Sequence, residues 1–307
     1  MQRILEPGQI EALAQRAIPR VRLPDRARLF AVRAARLRTL AEGHRTLADY
    51  LGLMAKLAEA QDTAAALFEA PGPTLAQIAS ARAHGMPVLP ATSWPRDARW
   101  RDVLSQLCAT VAAAPDVPVG ARAVCETVRQ WPVEHLERQA DLLLAGSNEG
   151  VEPAAAPFVM GALQVAWTVL ASRLGADDID ELDAAGVCPT CGTLPVASIV
   201  RSEPQAYGYR YLHCALCATE THRVRVTCTH CGSTKGLTRE TIEGGSDAVC
   251  AECCSQCHGY RKIFYQEKDP AVEPVADDLA SLALDLLLAD AGFHRASSNP
   301  LLWQPRG

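Results

Sequence analysis

The sequence lacks a strong charge of either sign and a long apolar run at its start. The 307 residues carry a net charge of -5, and no acidic or basic run stands out. A basic excess is the usual signature of nucleic-acid binding, so its absence argues against such a partner. Because no apolar stretch follows a basic opening in residues 1–20, we expect no secretory signal and a cytoplasmic protein.

Recognisable catalytic motifs and an evident membrane span are also missing. The chain has no glycine-rich phosphate loop and no H-E-x-x-H motif, so we expect no enzymatic activity. The longest uncharged run, 153–172, contains proline, glycine and polar residues. A membrane span needs about 20 strongly apolar residues, so we predict a buried bundle helix here instead.

The first part of the chain has the pattern of a helical domain. Apolar residues recur at three-and-four spacing in 24–42, 45–69 and 132–146. We predict an α-helical domain over residues 1–185 with about seven or eight helices. Cys108 and Cys125 each lie on an apolar helix face, so we expect both thiols to be buried core residues.

Cysteine usage then changes abruptly: ten of the twelve cysteines lie between Cys188 and Cys257. Short β-branched and aromatic segments accompany them, and these predict strands in 194–200, 206–213, 222–227 and 261–265. A helix is predicted over 273–292, with Leu279, Leu282, Leu286 and Ala289 along one side and Asp277 and Asp278 at its positive end. The predicted domains after the boundary near 185 are 186–226, 227–270 and a C-terminal helix and tail over 271–307.

The cysteines form two copies of one spacing, C-x2-C-x22-C-x2-C, displaced by 40 residues. Two residues between cysteines let a tight turn aim both sulfurs at one point, and a hairpin brings two such turns together. In a reducing compartment, paired thiols indicate metal ligands in preference to disulfides. The spacing therefore predicts two tetrathiolate sites, each holding zinc or iron, from Cys188, Cys191, Cys214, Cys217 and from Cys228, Cys231, Cys254, Cys257.

Alternatives to this ligand set stay open at the level of sequence. Cys250 and Cys253 form another C-x2-C pair, although the 40-residue repeat favours Cys254 and Cys257. A second alternative is a metal site formed by cysteines from both repeats instead of a site formed within each repeat. Histidines 213, 222, 230 and 258 neighbour the cysteines, but each quartet is complete without them. Four thiolates leave no open position for Lewis-acid catalysis, whereas a one-electron role of iron is still compatible.

The C-terminal part closely resembles the FdhE family of formate dehydrogenase accessory proteins. The resemblance runs from about residue 186 to residue 303 through the cysteine pairs, "YQEKDP" (265–270), "VADDLASLALD" (275–285) and "SSNP" (297–300). It departs at Thr221, where relatives often have tryptophan, and at the additional cysteines 250 and 253. It implies a cytoplasmic protein that contacts the catalytic subunit of respiratory formate dehydrogenase before export, and that binds iron in a rubredoxin-like way through the same eight cysteines.

The sequence thus predicts an α+β protein: a multi-helix N-terminal domain, two tandem rubredoxin-like or zinc-ribbon-like units, and a C-terminal helix. Its first expected function is that of a non-enzymatic assembly factor with two metal ions, and homodimer formation stays open. A ribbon-type nucleic-acid-binding protein using Arg223 and Arg225 is an alternative, but residues 188–270 hold nine Lys/Arg against eight Asp/Glu. An iron-dependent redox carrier is the third hypothesis.

Overall fold

The computed structural model describes residues 18–147, 149–182 and 186–302. The expectation of no secretory signal falls largely outside these residues, as does the exact position of the predicted boundary near 185. The helices are α1 (Leu29–Gly43), α2 (Ala48–Leu67), α3 (Leu75–Ala83), α4 (Trp100–Ala113), α5 (Val119–Val128), α6 (Val133–Leu144), α7 (Ala156–Ala171), α8 (Pro274–Ala280) and α9 (Leu282–Asp290). The strands are β1 (Val21–Arg22), β2 (Ala197–Val200), β3 (Arg210–His213), β4 (Glu220–His222), β5 (Leu237–Glu240), β6 (Val249–Cys254), β7 (Gly259–Tyr265) and β8 (His294–Arg295).

Helix α7 is the centre of the helical domain. All of its residues are buried, and α2, α4 and α6 pack around it. Gly161 permits the approach of α2, because a Cβ there would lie 3.3 Å from Leu57 Cδ1. The uncharged run is therefore a buried bundle helix, as predicted, and no helix in the described ranges is both long and apolar enough to cross a membrane. Cys108 and Cys125 are buried, which confirms their expected place in the core.

The strands of the cysteine-rich region, which come from both four-cysteine units, form one mixed sheet. The strand order is β1-β4-β3-β2-β7-β6-β5, with β8 beside β7. The 40-residue repeat extends to the strands, since β2, β3 and β4 correspond to β5, β6 and β7. Parallel pairing of β2 with β7, where Ser198 lies opposite Ile263, joins the two copies. This pairing satisfies backbone groups that two isolated three-stranded sheets would leave open at their edges.

The strand predicted over 222–227 is wrong. The strand at this point is β4, which ends at His222, and the chain then turns away from the sheet. The Arg210 guanidinium, which is buried, donates hydrogen bonds to the carbonyls of Val224 and Thr227 and so holds the turn. Val224 and Val226 are exposed. Their alternation with arginine therefore does not mark a buried strand face.

The continuous helix predicted over 273–292 is also wrong, because Ser281 separates α8 from α9. The Ser281 hydroxyl donates to the Asp277 carbonyl at 2.7 Å, and buried Lys262 donates to the carbonyls of Asp278 and Ser281 at 2.9 and 3.0 Å. The break changes the face that α9 buries. Its buried residues are Leu284 and Leu288, whereas Leu286 is 70% exposed and Ala289 is exposed.

Asp277 and Asp278 are buried ion-pair partners, although the sequence suggested only a favourable position near a helix end. Asp277 accepts hydrogen bonds from Arg36 of α1 at 2.6 and 2.9 Å. Asp278 pairs with Arg295 and accepts from Asn299 Nδ2 at 2.9 Å. The segments "VADDLASLALD" and "SSNP" are therefore in contact with each other, and α8 is tied to the helical domain.

A second ion pair fastens α8 to α1. The Arg33 guanidinium lies 3.1 Å from Glu273 Oε1, and both side chains are buried. The other oxygen of Glu273 accepts from the backbone N–H groups of Val275 and Ala276 and so caps α8. Glu273 thus joins the start of α8 to the N-terminal domain.

We predict that Arg33→Ala lowers the free energy of unfolding of the metal-loaded protein by about 3–5 kcal/mol, because it leaves the buried Glu273 carboxylate without its partner. Urea denaturation measures this change. Arg38→Ala is the matched control on the same helix, since its pair with Glu59 is exposed, and it should change the stability by at most about 1 kcal/mol. Equal effects of the two substitutions would contradict the prediction.

Candidate metal centres

The first turn of each cysteine quartet has the same backbone geometry. Cys188 N donates to Thr193 O at 2.9 Å, and Gly192 N donates to Cys188 O at 2.8 Å. The corresponding bonds in the second copy run from Cys228 N to Ser233 O at 2.8 Å and from Gly232 N to Cys228 O at 3.0 Å. Gly192 and Gly232 have φ angles of 79° and 75°. Glycine adopts this left-handed conformation without strain, which explains its place after each cysteine pair.

The second turn of each quartet follows the same design without glycine. Ala218 and His258 follow the second cysteine of their turns and have φ angles of 56° and 53°. A side chain makes this conformation costly by roughly 1–2 kcal/mol. The surrounding structure must therefore impose the turn. This strain has no evident signal in the sequence, since neither residue type favours a left-handed turn as glycine does.

The first quartet brings four sulfurs together in the core. Cys188 Sγ lies 3.6 Å from Cys217 Sγ, and Cys191 Sγ lies 3.4 Å from Cys214 Sγ. All four lie within 4.8 Å of one another. A metal about 2.3 Å from each of four tetrahedral sulfurs would place those sulfurs about 3.8 Å apart. The arrangement of the sulfurs therefore fits a tetrahedral zinc or iron ion.

The second quartet fits the same geometry. Cys228 Sγ lies 3.9 Å from Cys257 Sγ, and Cys231 Sγ lies 3.8 Å from Cys254 Sγ. These four sulfurs also lie within 4.8 Å of one another. Each quartet is thus assembled within one repeat, and the two could hold two metal ions. The assignment of these eight cysteines as ligands is a prediction that the geometry supports.

Cys250 and Cys253 take no part in either quartet. Both are buried in β6, but they lie on different faces of the sheet. Cys250 packs with Val200 and Ile263, whereas Cys253 packs in the cluster that contains Tyr260 and Leu284. These two thiols therefore cannot aim at one ion. The arrangement agrees with the register that the 40-residue repeat favours.

The neighbouring histidines also lie outside the two quartets. His213 is buried, and its Nδ1 lies 3.1 Å from Glu220 Oε1. Burial acts to raise the pKa of Glu220, but attraction to Arg201 and the contact with His213 outweigh it and hold the pKa well below its usual range. The ionised carboxylate thus supports the strand that follows the first quartet.

The thiols of each quartet are unequal in acidity. Burial acts to raise the pKa of Cys214, but hydrogen bonds from Cys188 and Cys191 leave it well below the ordinary value. Burial likewise opposes ionisation of Cys254, yet backbone N–H groups and neighbouring thiols lower its pKa to about 7. These two cysteines are the same position of the repeat. The thiolate is the form that a metal binds.

The helical domain is hydrogen-bonded directly to the turns of the first quartet. Leu89 N donates to Thr190 O and Ala91 N donates to Cys191 O, both at 2.8 Å. From α7, Gln164 Nε2 donates to Ala215 O in the second turn at 2.7 Å. Gln164 also accepts from Gln61 of α2 at 2.9 Å. The hydrogen-bonded series of Gln61, Gln164 and Ala215 was not predicted from the sequence. A glutamine within an otherwise apolar helix, such as Gln164, indicates a buried polar group that needs a partner.

The two quartets differ in their exposure to solvent. All four cysteines of the first are buried, whereas Cys231 of the second is exposed and Cys257 is partly exposed. A cleft of about 920 Å³ borders the first quartet between the helical domain and the "SSNP" segment. Cys191 lies in its wall but is only 1% exposed. The cleft therefore reaches the turn without uncovering its sulfurs.

Comparison with known families identifies the chain. Three family models cover it in succession: "FdhE, N-terminal" at residues 18–184, "FdhE, central domain" at 187–225, and "FdhE, C-terminal domain" at 226–302. The chain belongs to the FdhE family. This confirms the resemblance seen in the cysteine-rich segment and extends it over the helical domain.

Relatives of the FdhE family match nearly end to end. The "Protein FdhE homolog" of Stutzerimonas stutzeri (strain A1501) is 40% identical, with 97% of each chain covered. The "Protein FdhE homolog" of Cronobacter sakazakii (strain ATCC BAA-894) is also 40% identical, with 99% of each chain covered. The crystal structure of the FdhE protein from Pseudomonas aeruginosa is 37% identical and has a TM-score of 0.84, covering 94% of this chain and 100% of that one. The α+β fold with a helical N-terminal region is therefore confirmed.

We predict that Cys188→Ala and Cys228→Ala each remove one of two bound metal ions per chain, because each substitution opens one quartet. Elemental analysis of protein purified without oxygen measures the loss. Cys250→Ala is the matched control, since this buried thiol belongs to neither quartet. An unchanged metal content in the first two variants, or a loss in the control, would refute the ligand assignment.

We also predict that Gln164→Leu destabilises the protein by about 1–3 kcal/mol, because it leaves the buried Ala215 carbonyl without its donor. Thermal or urea unfolding of the metal-loaded protein measures the effect. Gln77→Leu on the exposed helix α3 is the control for replacing any glutamine with leucine. Because Gln77 forms a capping box with Thr74, we expect this substitution to lower the stability by at most about 1 kcal/mol. A stability of Gln164→Leu equal to that of the parent would contradict the proposed contribution of the hydrogen bond from Gln164 to Ala215.

Proposed function

We propose that this chain is a non-enzymatic accessory protein that binds the catalytic subunit of formate dehydrogenase in the cytoplasm and supports formation of the active respiratory enzyme. Membership of the FdhE family over nearly the whole chain carries the general role of an accessory protein for formate dehydrogenase. The choice of the catalytic subunit as partner, and of the cytoplasm as location, extends that role and is the part to be tested.

The chemistry of the two quartets supports a role without catalysis. Four sulfurs around each centre would complete the coordination of a tetrahedral ion and leave no position for substrate or water. Bound zinc would cross-link the turns, and bound iron could in addition exchange one electron. The chain's own residues would then hold a rigid sheet beside the helical domain, which suits a surface that recognises a folded or folding partner.

A nucleic-acid-binding role has less support from the residues first considered for it. Arg223 pairs with Glu181, so its charge is already compensated. Arg225 lies over the Tyr265 ring and donates to Gly208 O at 3.4 Å. Both guanidiniums therefore already have partners within the protein, which weakens the case that they contact phosphates.

We expect tagged full-length protein to co-purify with the catalytic subunit of formate dehydrogenase from the same cells. We also expect cells that lack this chain to lose respiratory formate dehydrogenase activity, and the parent gene to restore it. Cys228→Ala and the matched control Cys250→Ala, expressed in such cells, test whether the quartets contribute. Absence of the complex, together with normal enzyme activity in cells without this chain, would refute the proposal.

A further inference from the structure

The two quartets share one sequence pattern but occupy different surroundings. Strand β2, which follows the first turn of the first quartet, is buried in the middle of the sheet. Its counterpart β5, 40 residues later, is largely exposed at the edge of the sheet. The difference comes from position in the sheet, because β2 pairs with both β3 and β7 and packs against α8, whereas β5 is the edge strand beside β6.

Among the described residues, segments of the helical domain lie against both turns of the first quartet. The segment that holds Leu89 and Ala91 is hydrogen-bonded to its first turn, and Gln164 is hydrogen-bonded to its second. A Cβ on Gly192 would lie 3.1 Å from Pro87 Cγ, so the helical domain is in close contact with this turn. Reaching these sulfurs therefore requires local separation of the two parts of the protein.

The second quartet is open along one face. Cys231 is exposed, Cys257 is partly exposed, and the rings of His230 and His294 lie beside them with centroids 6.1 Å apart. The side chains converge on Gly259: a Cβ there would lie 3.3 Å from Cys257 Sγ, 3.4 Å from His230 Cδ2 and 3.6 Å from His294 Nε2. Exposed imidazoles are good transient metal ligands next to exposed thiolates.

We propose that the second quartet is the site at which this protein exchanges its metal. Divalent ions or chelating ligands would reach it through the face formed by Cys231, Cys257, His230 and His294, whereas the first quartet would keep its ion as part of the core. The inference rests on the proposed metal sites and not on the proposed partner. It assigns different roles to two sites that the sequence makes look equivalent.

The test uses full-length protein loaded with two equivalents of zinc. Release to an excess of EDTA should occur in two phases, with one equivalent leaving at least about tenfold faster than the other, because buried ligands react only after local opening. In the same period N-ethylmaleimide should label Cys231 and Cys257 first, as mapped by mass spectrometry. Cys108 and Cys125, which are buried outside the quartets, provide the slow reference.

Release of both equivalents at one rate, or labelling of Cys188 and Cys191 before Cys231, would overturn the inference. Failure to bind two zinc ions would overturn both the metal assignment and this inference. Neither result depends on co-purification with formate dehydrogenase, so a failure here is distinguishable from a failure of the proposed partner. Because these measurements use the parent protein, they do not depend on whether any variant folds.

The imidazoles are tested separately with His230→Gln and His294→Gln, which keep a polar side chain but remove a good metal ligand. We expect slower zinc loading of the second quartet and unchanged release from the first. His84→Gln is the control, since His84 is exposed in the helical domain. Loading at the parental rate in both variants would exclude the histidines from the exchange face.

Discussion

The contact between the first cysteine quartet and helix α7 is the interaction on which the arrangement depends. Gln164 lies in a helix that is buried on every face, so its amide needs partners inside the protein. It finds them in Gln61 and in the carbonyl of Ala215. A metal bound by the quartet would keep that carbonyl in place. Closure of the first quartet and packing of the helical core would then be coupled.

The same contact explains how two copies of one repeat acquire different environments. The helical domain binds the first copy, and the parallel pairing of β2 with β7 then fixes the second copy beside it. Buried Arg261 strengthens this junction, since it donates to Pro195 O in the first copy and to Thr229 Oγ1 in the second. Burial lowers the pKa of Arg261 to about 10, so it stays charged at neutral pH. The sheet behaves as one body with a covered end and an open end.

Sequence reasoning succeeded where the determinants are local. The spacing of Cys188, Cys191, Cys214 and Cys217 favoured a group within one repeat, and these sulfurs do meet, because turn and hairpin geometry depend on nearby residues. It failed where distant partners decide. The break between helices at Ser281 depends on Lys262 of strand β7, and the turn after His222 depends on Arg210 of strand β3. The burial of Asp277 follows from Arg36, 241 residues away in the chain, and no periodicity encodes such a pair.

A complete set of four sulfurs moves the question of function away from catalysis at the metal. If both sites hold the same ion, their four-sulfur ligand sets are identical, and their behaviour then differs through access to the sulfurs and through the groups around them. Access is set by which surfaces the helical domain covers. A partner that bound over Cys231 would close the open end, and one that separated α7 from Ala215 would open the covered end. With ions bound at both sites, the fold would couple metal retention to the contacts that an accessory protein makes.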